Sequence, residues 1–155
     1  MTKTPKFYDY HVYVACSLTH APKEFWDKVE SFKTKLREFC NVLCFLGVNG
    51  FPARDIYEWD INQCVRKSDL VVAIADLPSI GLGYEMATQM ESRNMPCLII
   101  AHEKSRVSDL VLDTGCPGTE FKRYKELEKD GVELVKEKLE KMLEATKVKS
   151  KKVSF

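Results

Sequence analysis

The chain has 155 residues, a length typical of one domain, and its formal net charge is +1 at pH 7. That charge gives no general electrostatic reason to expect a nucleic-acid polymer or an acidic membrane as partner. No apolar run approaches the roughly 20 residues of a membrane span, and the N-terminus lacks the apolar core of a signal peptide. We therefore expect a soluble, cytoplasmic protein.

The six cysteines are expected to be reduced thiols rather than a metal site. None forms a C-x-x-C pair, and the chain has only three histidines to complete a zinc site. Free cysteine in an apolar run behaves as a small hydrophobic residue. A cysteine nucleophile stays open, although no neighbouring residue would activate one. The cysteines are Cys16, Cys40, Cys44, Cys64, Cys97 and Cys116.

The first half of the chain alternates predicted strands with predicted helices. A β-rich run predicts the first strand over 10–17, and Pro22 then suits the first turn of a helix. A short apolar run predicts the second strand over 41–47, a loop follows over 48–55, and a helix follows over 56–68. Apolar residues at steps of three and four define the first helix: Phe25, Trp26, Val29, Phe32, Leu36 and Phe39.

The second half continues the alternation. Strands are predicted over 69–77, 95–102 and 120–125, and helices over 84–94 and 130–146. The near-continuous aliphatic sequence of the first of these strands is typical of a strand covered on both faces. Residues 147–155 are expected to be a flexible basic tail. The pattern predicts a single domain over 1–146, a three-layer α/β fold with a mostly parallel five-stranded sheet flanked by helices, Rossmann- or flavodoxin-like.

A glycine-containing stretch, "PSIGLGYE" over 78–85, follows the predicted strand 69–77. Ligands of such sheets bind beyond the carboxyl ends of the strands. Gly81 and Gly83 would allow positive φ and a close backbone approach, and Ser79 would add a hydroxyl, so the turn suits a phosphate or a sugar. The alternative is a tight turn with no ligand. The stretch is neither a dinucleotide fingerprint nor a Walker A loop.

Glu85 is predicted in the first turn of the next helix. The helix dipole stabilises a glutamate at this position, and most glutamates there are exposed to solvent and have no further role. A catalytic role needs a second carboxylate, because paired carboxylates divide glycosidic chemistry between nucleophile and proton transfer. Glu58, Asp60 and Asp76 are the candidates. Their spacing in the sequence does not bring any of them to Glu85.

The stretch "SDLVVAIADLPSIGLGYEMATQMESRNMPCLII" closely resembles the nucleoside 2-deoxyribosyltransferase family. Four weaker stretches fall in the family's order: "VYVACS", "IYEWDINQCVRKSD", "SRVSDLV" and "EFKRYKELE". The resemblance covers about residues 10 to 143. It is closest to the Rcl-like branch, the 2′-deoxynucleoside 5′-monophosphate N-glycosidases.

The resemblance implies three catalytic residues. Glu85 matches the family's nucleophile, which attacks C1′ of the sugar and forms a glycosyl-enzyme ester. Asp60 matches the carboxylate that orients the sugar and handles protons, and Tyr13 matches a first-strand tyrosine near the nucleophile.

The resemblance also implies a phosphate site and a homodimer. Ser17 and Ser79 match hydroxyls that contact the 5′-phosphate, and Ser108 matches a serine that reaches the phosphate in the neighbouring subunit. Gly81 and Gly83 match the turn that lets the substrate approach. No cofactor or metal is implied.

Some residues depart from the family's pattern. Cys16 stands where the family usually has glycine, and a larger side chain there could narrow the pocket. His20 is either a phosphate or base contact or an exposed loop residue. The helix between Asp60 and the next strand is one residue longer than usual, which puts the register of Asp60 in question. Tyr57 and Trp59 either wall the base pocket or belong to the core.

These observations lead to one predicted function and two alternatives. The prediction is hydrolysis of the base–sugar bond in (2′-deoxy)nucleoside 5′-monophosphates by a glycosidase of small-molecule nucleotides. The first alternative is a deoxyribosyltransferase that exchanges bases between nucleosides. The second is a non-catalytic nucleotide-binding module on the same fold.

Overall fold

The structure, a computed structural model, describes residues 6–46 and 50–153. All five strands are parallel and form one sheet in the order β2-β1-β3-β4-β5. The strands are β1 (Phe7–Cys16), β2 (Cys40–Leu43), β3 (Leu70–Ile74), β4 (Cys97–His102) and β5 (Thr119–Tyr124). This confirms the predicted three-layer α/β fold. The order in which strands are added to the sheet reverses between β1 and β3. Doubly wound folds bind their ligands at such a reversal point.

Helices cover both faces of the sheet, and several contain irregular turns. The helices are α1 (Lys23–Leu36), α2 (Ala53–Tyr57), α3 (Ile80–Ala87), α4 (Asp109–Leu112) and α5 (Val132–Val153). Three π-helical turns adjoin them, over Glu58–Cys64 after α2, Thr88–Ser92 after α3 and Leu127–Gly131 before α5, and a 3-10 turn covers Val65–Lys67.

Alternate residues of the strands form two separate cores. Val12 and Val14 of β1 pack in the core under α1 and α5. Tyr13 and Ala15 point to the opposite face, in the core under α3 and the π-helical turn Glu58–Cys64 that continues α2. All four side chains are fully buried, which explains why the strands read as continuous apolar runs. The face under α2 and α3 carries the candidate site.

Helix α3 begins at Ile80, four residues before the predicted start at 84. The reason is a helix cap: the Ser79 side chain accepts a hydrogen bond from the Leu82 amide at 3.1 Å. Gly81 and Gly83 therefore lie inside the helix and do not have positive φ. The positive φ that glycine would allow is not used at either position.

Strand β2 leaves the sheet earlier than predicted, after Leu43. The next carbonyl, that of Cys44, accepts a hydrogen bond from Trp59 Nε1 at 2.7 Å, so the chain bonds to the following helix instead of to β1. Helix α2 then begins at Ala53, directly after Pro52, three residues before the prediction. The end of the predicted strand and part of the loop, residues 47–49, lie outside the described residues.

The C-terminal segment continues the last helix, and its flexibility stays a prediction. Helix α5 continues to Val153, so residues 147–153 are helical. Residues 144–153 contain neither glycine nor proline and are rich in lysine, a good helix former. Within the described ranges, no helix is both long and apolar enough to span a membrane.

Candidate active site

A tyrosine–glutamate pair occupies the face of the sheet under α2 and α3. The Tyr13 hydroxyl donates a hydrogen bond of 2.7 Å to Glu85 Oε1. Tyr13 lies within β1 and is fully buried. Glu85 is the sixth residue of α3, more than a turn inside the helix, and not a solvated first-turn residue as the sequence suggested. The two residues that the resemblance places together are in contact.

Asp60 is the second carboxylate of this site. It is buried, with 7% of its surface exposed, and its Oδ1 accepts the Leu46 amide at 2.7 Å. The neighbouring Ile61 packs in the same core as Tyr13, and the charge of Asp60 contributes to raising the pKa of Glu85. The π-helical turn Glu58–Cys64 contains Asp60. A π turn accommodates an extra residue, which is consistent with the longer helix, and the match of Asp60 to the family's carboxylate stays a prediction.

The other two candidate carboxylates have different partners. Glu58 is exposed and accepts a hydrogen bond from Asn62 at 2.8 Å. Asp76 accepts the His102 amide and the Ser105 hydroxyl at Oδ1, and the Tyr124 hydroxyl at Oδ2. Tyr124 belongs to the core under α1 and α5, so these contacts hold Asp76 at the other face of the sheet from Glu85.

Burial dominates the electrostatics of the pair. Burial raises the pKa of Glu85 to about 7, the hydrogen bond from Tyr13 acts in the opposite direction, and the charge of Asp60 adds to the increase. Burial, and then the Glu85 charge, raise the pKa of Tyr13 well above its usual value. Tyr13 is therefore a hydrogen-bond donor at neutral pH. Glu85 can be a carboxylate nucleophile or a protonated acid close to neutrality.

Gly81 leaves the approach to Glu85 open. It precedes Glu85 by four residues in α3, so it lies one turn nearer the helix N-terminus on the same face. A Cβ atom built at Gly81 would meet no atom within 4 Å, and the same holds for Gly83. Neither glycine is needed for packing or for backbone conformation. Space for a ligand would explain why both positions lack a side chain.

The three predicted phosphate-binding serines follow β1, β3 and β4, which are neighbours in the sheet. Ser17 is half-buried, whereas Ser79 and Ser108 are exposed. Ser79 caps α3, and Ser108 caps α4 by accepting the Leu110 amide at 3.4 Å. The serines thus share the carboxyl edge of the sheet. Their contact with a phosphate stays a prediction.

The residues that depart from the family's pattern lie mostly away from the pair. Cys16 packs against the core under α1 and α5, so its side chain does not narrow the space beside Tyr13. His20 is exposed in the turn before α1. Trp59, which is 44% exposed, and Tyr57 lie at the surface and not in the core. A role of these two aromatics in binding the base stays a prediction.

Four of the six cysteines have thiols that burial makes unreactive. All six cysteines are free. Burial raises the pKa of Cys16, Cys40, Cys64 and Cys97 to about 12, so these thiols stay protonated at neutral pH.

Sequence reasoning passed over Arg106. A cavity of about 420 Å³ is lined by Ala75, Pro78, Arg106, Val107, Ser108 and Asp109. Arg106 stands two residues before the predicted phosphate serine, in "SRVSDLV", and a basic side chain beside such a serine was the available indication. The sequence also did not reveal that the Leu46 amide binds Asp60, because any residue can supply a backbone donor.

Comparison with known proteins supports the fold. No protein-family model and no curated protein matches the chain. Among solved structures, the Clostridium botulinum CMP N-glycosidase BcmB is similar, with a TM-score of 0.62 and 17% identity over 83% of this chain and 98% of that one. The Francisella novicida lysine decarboxylase LdcF is a weaker match, with a TM-score of 0.49 and 11% identity over 86% of this chain and 18% of that one. The chain thus shares the fold of a CMP N-glycosidase.

Proposed function

We propose that the protein is an N-glycosidase that hydrolyses the base–sugar bond of (2′-deoxy)nucleoside 5′-monophosphates through a glycosyl-enzyme on Glu85. The observation that carries the proposal is the cluster of the buried Tyr13 and Asp60 with the half-buried Glu85, at the point where the strand order reverses. The fold shared with a CMP N-glycosidase supports it.

In the first half-reaction, a Glu85 carboxylate oxygen attacks C1′ of the sugar. The C1′–N bond breaks through an oxocarbenium-like transition state, and its electron pair leaves with the base. The leaving base takes up a proton from solvent. The Tyr13 hydroxyl, bonded to Glu85 Oε1, orients the nucleophile and leaves its second oxygen for the attack.

In the second half-reaction, water attacks C1′ of the ester and the Glu85 carboxylate leaves. The ionised Asp60 accepts a proton from the water and then releases it to solvent, which returns both carboxylates to their starting states. The products are a free base and a sugar 5-phosphate. If a second base resolved the ester instead, the same site would catalyse deoxyribosyl transfer.

We also propose that the protein forms a homodimer through the surface around α3 and α4. Ile80, at the start of α3, is 95% exposed, and Leu110, in α4, is 82% exposed. Each follows a predicted phosphate serine closely in the chain. Large exposed aliphatic side chains beside a ligand site are typical of an interface with another protein surface.

The test is base release from a panel of deoxynucleoside and ribonucleoside monophosphates and the matching nucleosides, with and without a second free base. Hydrolysis predicts release from a monophosphate without an acceptor, and loss of release in Glu85→Gln. The control is Glu91→Gln, which changes an exposed glutamate on the same helical stretch. Exchange that requires an acceptor would indicate the transferase. No reaction, together with nucleotide binding unaffected by Glu85→Gln, would indicate a binding module.

A further inference from the structure

The cavity that contains Arg106 adjoins two predicted phosphate-binding residues. Its walls are the end of β3 and the following turn, at Ala75 and Pro78, and the segment before α4, at Arg106 and Ser108. Ser79 directly follows Pro78 and begins the helix that carries Glu85. The cavity therefore lies at the carboxyl edge of the sheet, beside the helix of the proposed nucleophile.

The hydroxyl groups of Ser79 and Ser108, at this edge of the sheet, can each still donate a hydrogen bond. Ser79 Oγ accepts the Leu82 amide, and Ser108 Oγ accepts the Leu110 amide. A hydroxyl that accepts from the backbone keeps its own O–H for donation, so both serines can donate to a ligand oxygen. Of the two serines, Ser108 lines the cavity together with Arg106.

Arg106 supplies a cation without a protein partner. It is exposed and makes no hydrogen bond or ion pair with any residue that the structure describes. A guanidinium presents several N–H donors in a planar fork that matches the oxygens of a phosphate. The cavity thus combines a free guanidinium with a serine hydroxyl.

Asp109 lines the same cavity, and its carboxylate would repel a bound anion. With one arginine and one aspartate, the lining is formally neutral, so directed hydrogen bonds and not the net charge must hold a phosphate. Without Arg106, the carboxylate of Asp109 would be the charge left to face the ligand. Loss of the arginine should therefore affect a phosphorylated substrate much more than an unphosphorylated one.

We propose that Arg106 is a specificity-determining residue: its guanidinium binds the same 5′-phosphate that the resemblance assigns to Ser108, and so selects nucleoside 5′-monophosphates over nucleosides. This inference rests on the proposed function, because it assigns the substrate class of that site.

The test compares kcat/KM for a deoxynucleoside monophosphate and for its nucleoside in wild type, Arg106→Ala and Lys104→Ala. Lys104 is an exposed cation two residues away that does not line the cavity. We expect Arg106→Ala to lower the monophosphate-to-nucleoside ratio by about 10- to 100-fold, as for a lost charge-assisted hydrogen bond, and Lys104→Ala to leave it unchanged. An unchanged ratio in Arg106→Ala would overturn the inference and leave the proposed function standing.

A binding measurement separates the two claims. The probe is deoxyribose 5-phosphate, added to wild type, Arg106→Ala and Lys104→Ala in a thermal unfolding assay. Stabilisation of wild type and Lys104→Ala but not of Arg106→Ala supports the arginine site, even if no substrate is turned over and the proposed function fails. Equal stabilisation of all three proteins, or of none, contradicts the arginine site.

Discussion

Tyr13 and Glu85 are 72 residues apart in the chain, yet the tyrosine hydroxyl donates a hydrogen bond of 2.7 Å to the glutamate. The contact joins β1 to α3, the helix that follows β3, and β1 and β3 are adjacent in the sheet. The strand order therefore places a buried donor and a half-buried carboxylate at the site where doubly wound folds bind ligands. The proposed mechanism depends on this pair.

Substitution of Tyr13 by phenylalanine should lower kcat/KM by about 10- to 100-fold, because a hydrogen bond to a charged group is lost. The Tyr13 hydrogen bond lowers the pKa of Glu85, so its removal should move the acidic limb of the pH–rate profile to higher pH. The measurement is kcat/KM against pH. Tyr124→Phe is the matched control, since it removes a buried hydroxyl bonded to Asp76 on the other face. A shift of the limb in both variants, or in neither, would count against the assigned role.

The raised pKa of Glu85 predicts a pH-dependent gain in stability for Glu85→Gln. The pKa of Glu85 is about 7 in the folded protein and 4.5 without the protein environment. Folding therefore favours the protonated form of Glu85, and the stability that this form contributes is complete below pH 4.5. This stability is lost as the pH rises through 7, because a charged Glu85 must then be held in the folded protein. At pH 8 the variant should be more stable than wild type by about 3 kcal/mol, from the size of the shift, and nearly equal to it at pH 4.

Urea unfolding at pH 4 and pH 8 measures this difference. Glu91→Gln, which changes an exposed carboxyl, should differ little from wild type at either pH. A difference between wild type and Glu85→Gln that does not grow with pH would show that Glu85 titrates normally.

Gly81→Ala should separate stability from substrate binding. A Cβ atom at Gly81 meets no protein atom within 4 Å, and alanine favours a helix over glycine by roughly 0.5–1 kcal/mol, so the variant should be at least as stable as wild type. The methyl group would occupy the approach to Glu85, so KM should rise. Thermal unfolding and initial-rate kinetics test both parts. An unchanged KM in a folded variant would mean that the substrate does not pass over Gly81.

The proposed dimer predicts that charges at its apolar surface cause dissociation. The double variant Ile80→Glu and Leu110→Glu should sediment as a monomer in analytical ultracentrifugation, whereas wild type should sediment as a dimer. Val148→Glu, at an aliphatic residue that is 51% exposed on α5, should leave the assembly unchanged. A monomeric wild type at micromolar concentration would contradict the homodimer.

Most of the fold could be predicted from the sequence because its strands are short apolar runs between amphipathic helices. The start of α3 could not, because Gly81 and Gly83 have the composition of a turn while the Ser79 cap makes them helical. The position of Asp60 was uncertain because the length of a helix does not reveal a π-helical turn.

The sequence predicted the residues of the candidate site better than it predicted their arrangement, because the fold determines which side chains meet. Glu85 and Tyr13 stood out through a family resemblance, and the fold brings them into contact. The pairing of Asp60, rather than Asp76, with Glu85 depends on which face of the sheet each carboxylate reaches. The cavity at Arg106 depends on how two loops meet at the edge of the sheet, and sequence spacing does not determine that.

The most direct test of the central claim is mass spectrometry of the protein quenched rapidly during turnover of a deoxynucleoside monophosphate. The account predicts that a fraction of the protein gains the mass of one deoxyribose phosphate residue, located on the peptide that contains Glu85 and absent from Glu85→Gln. If quenching at every time during confirmed turnover leaves Glu85 unmodified, or if the adduct lies on another residue, the proposed glycosyl-enzyme mechanism is contradicted.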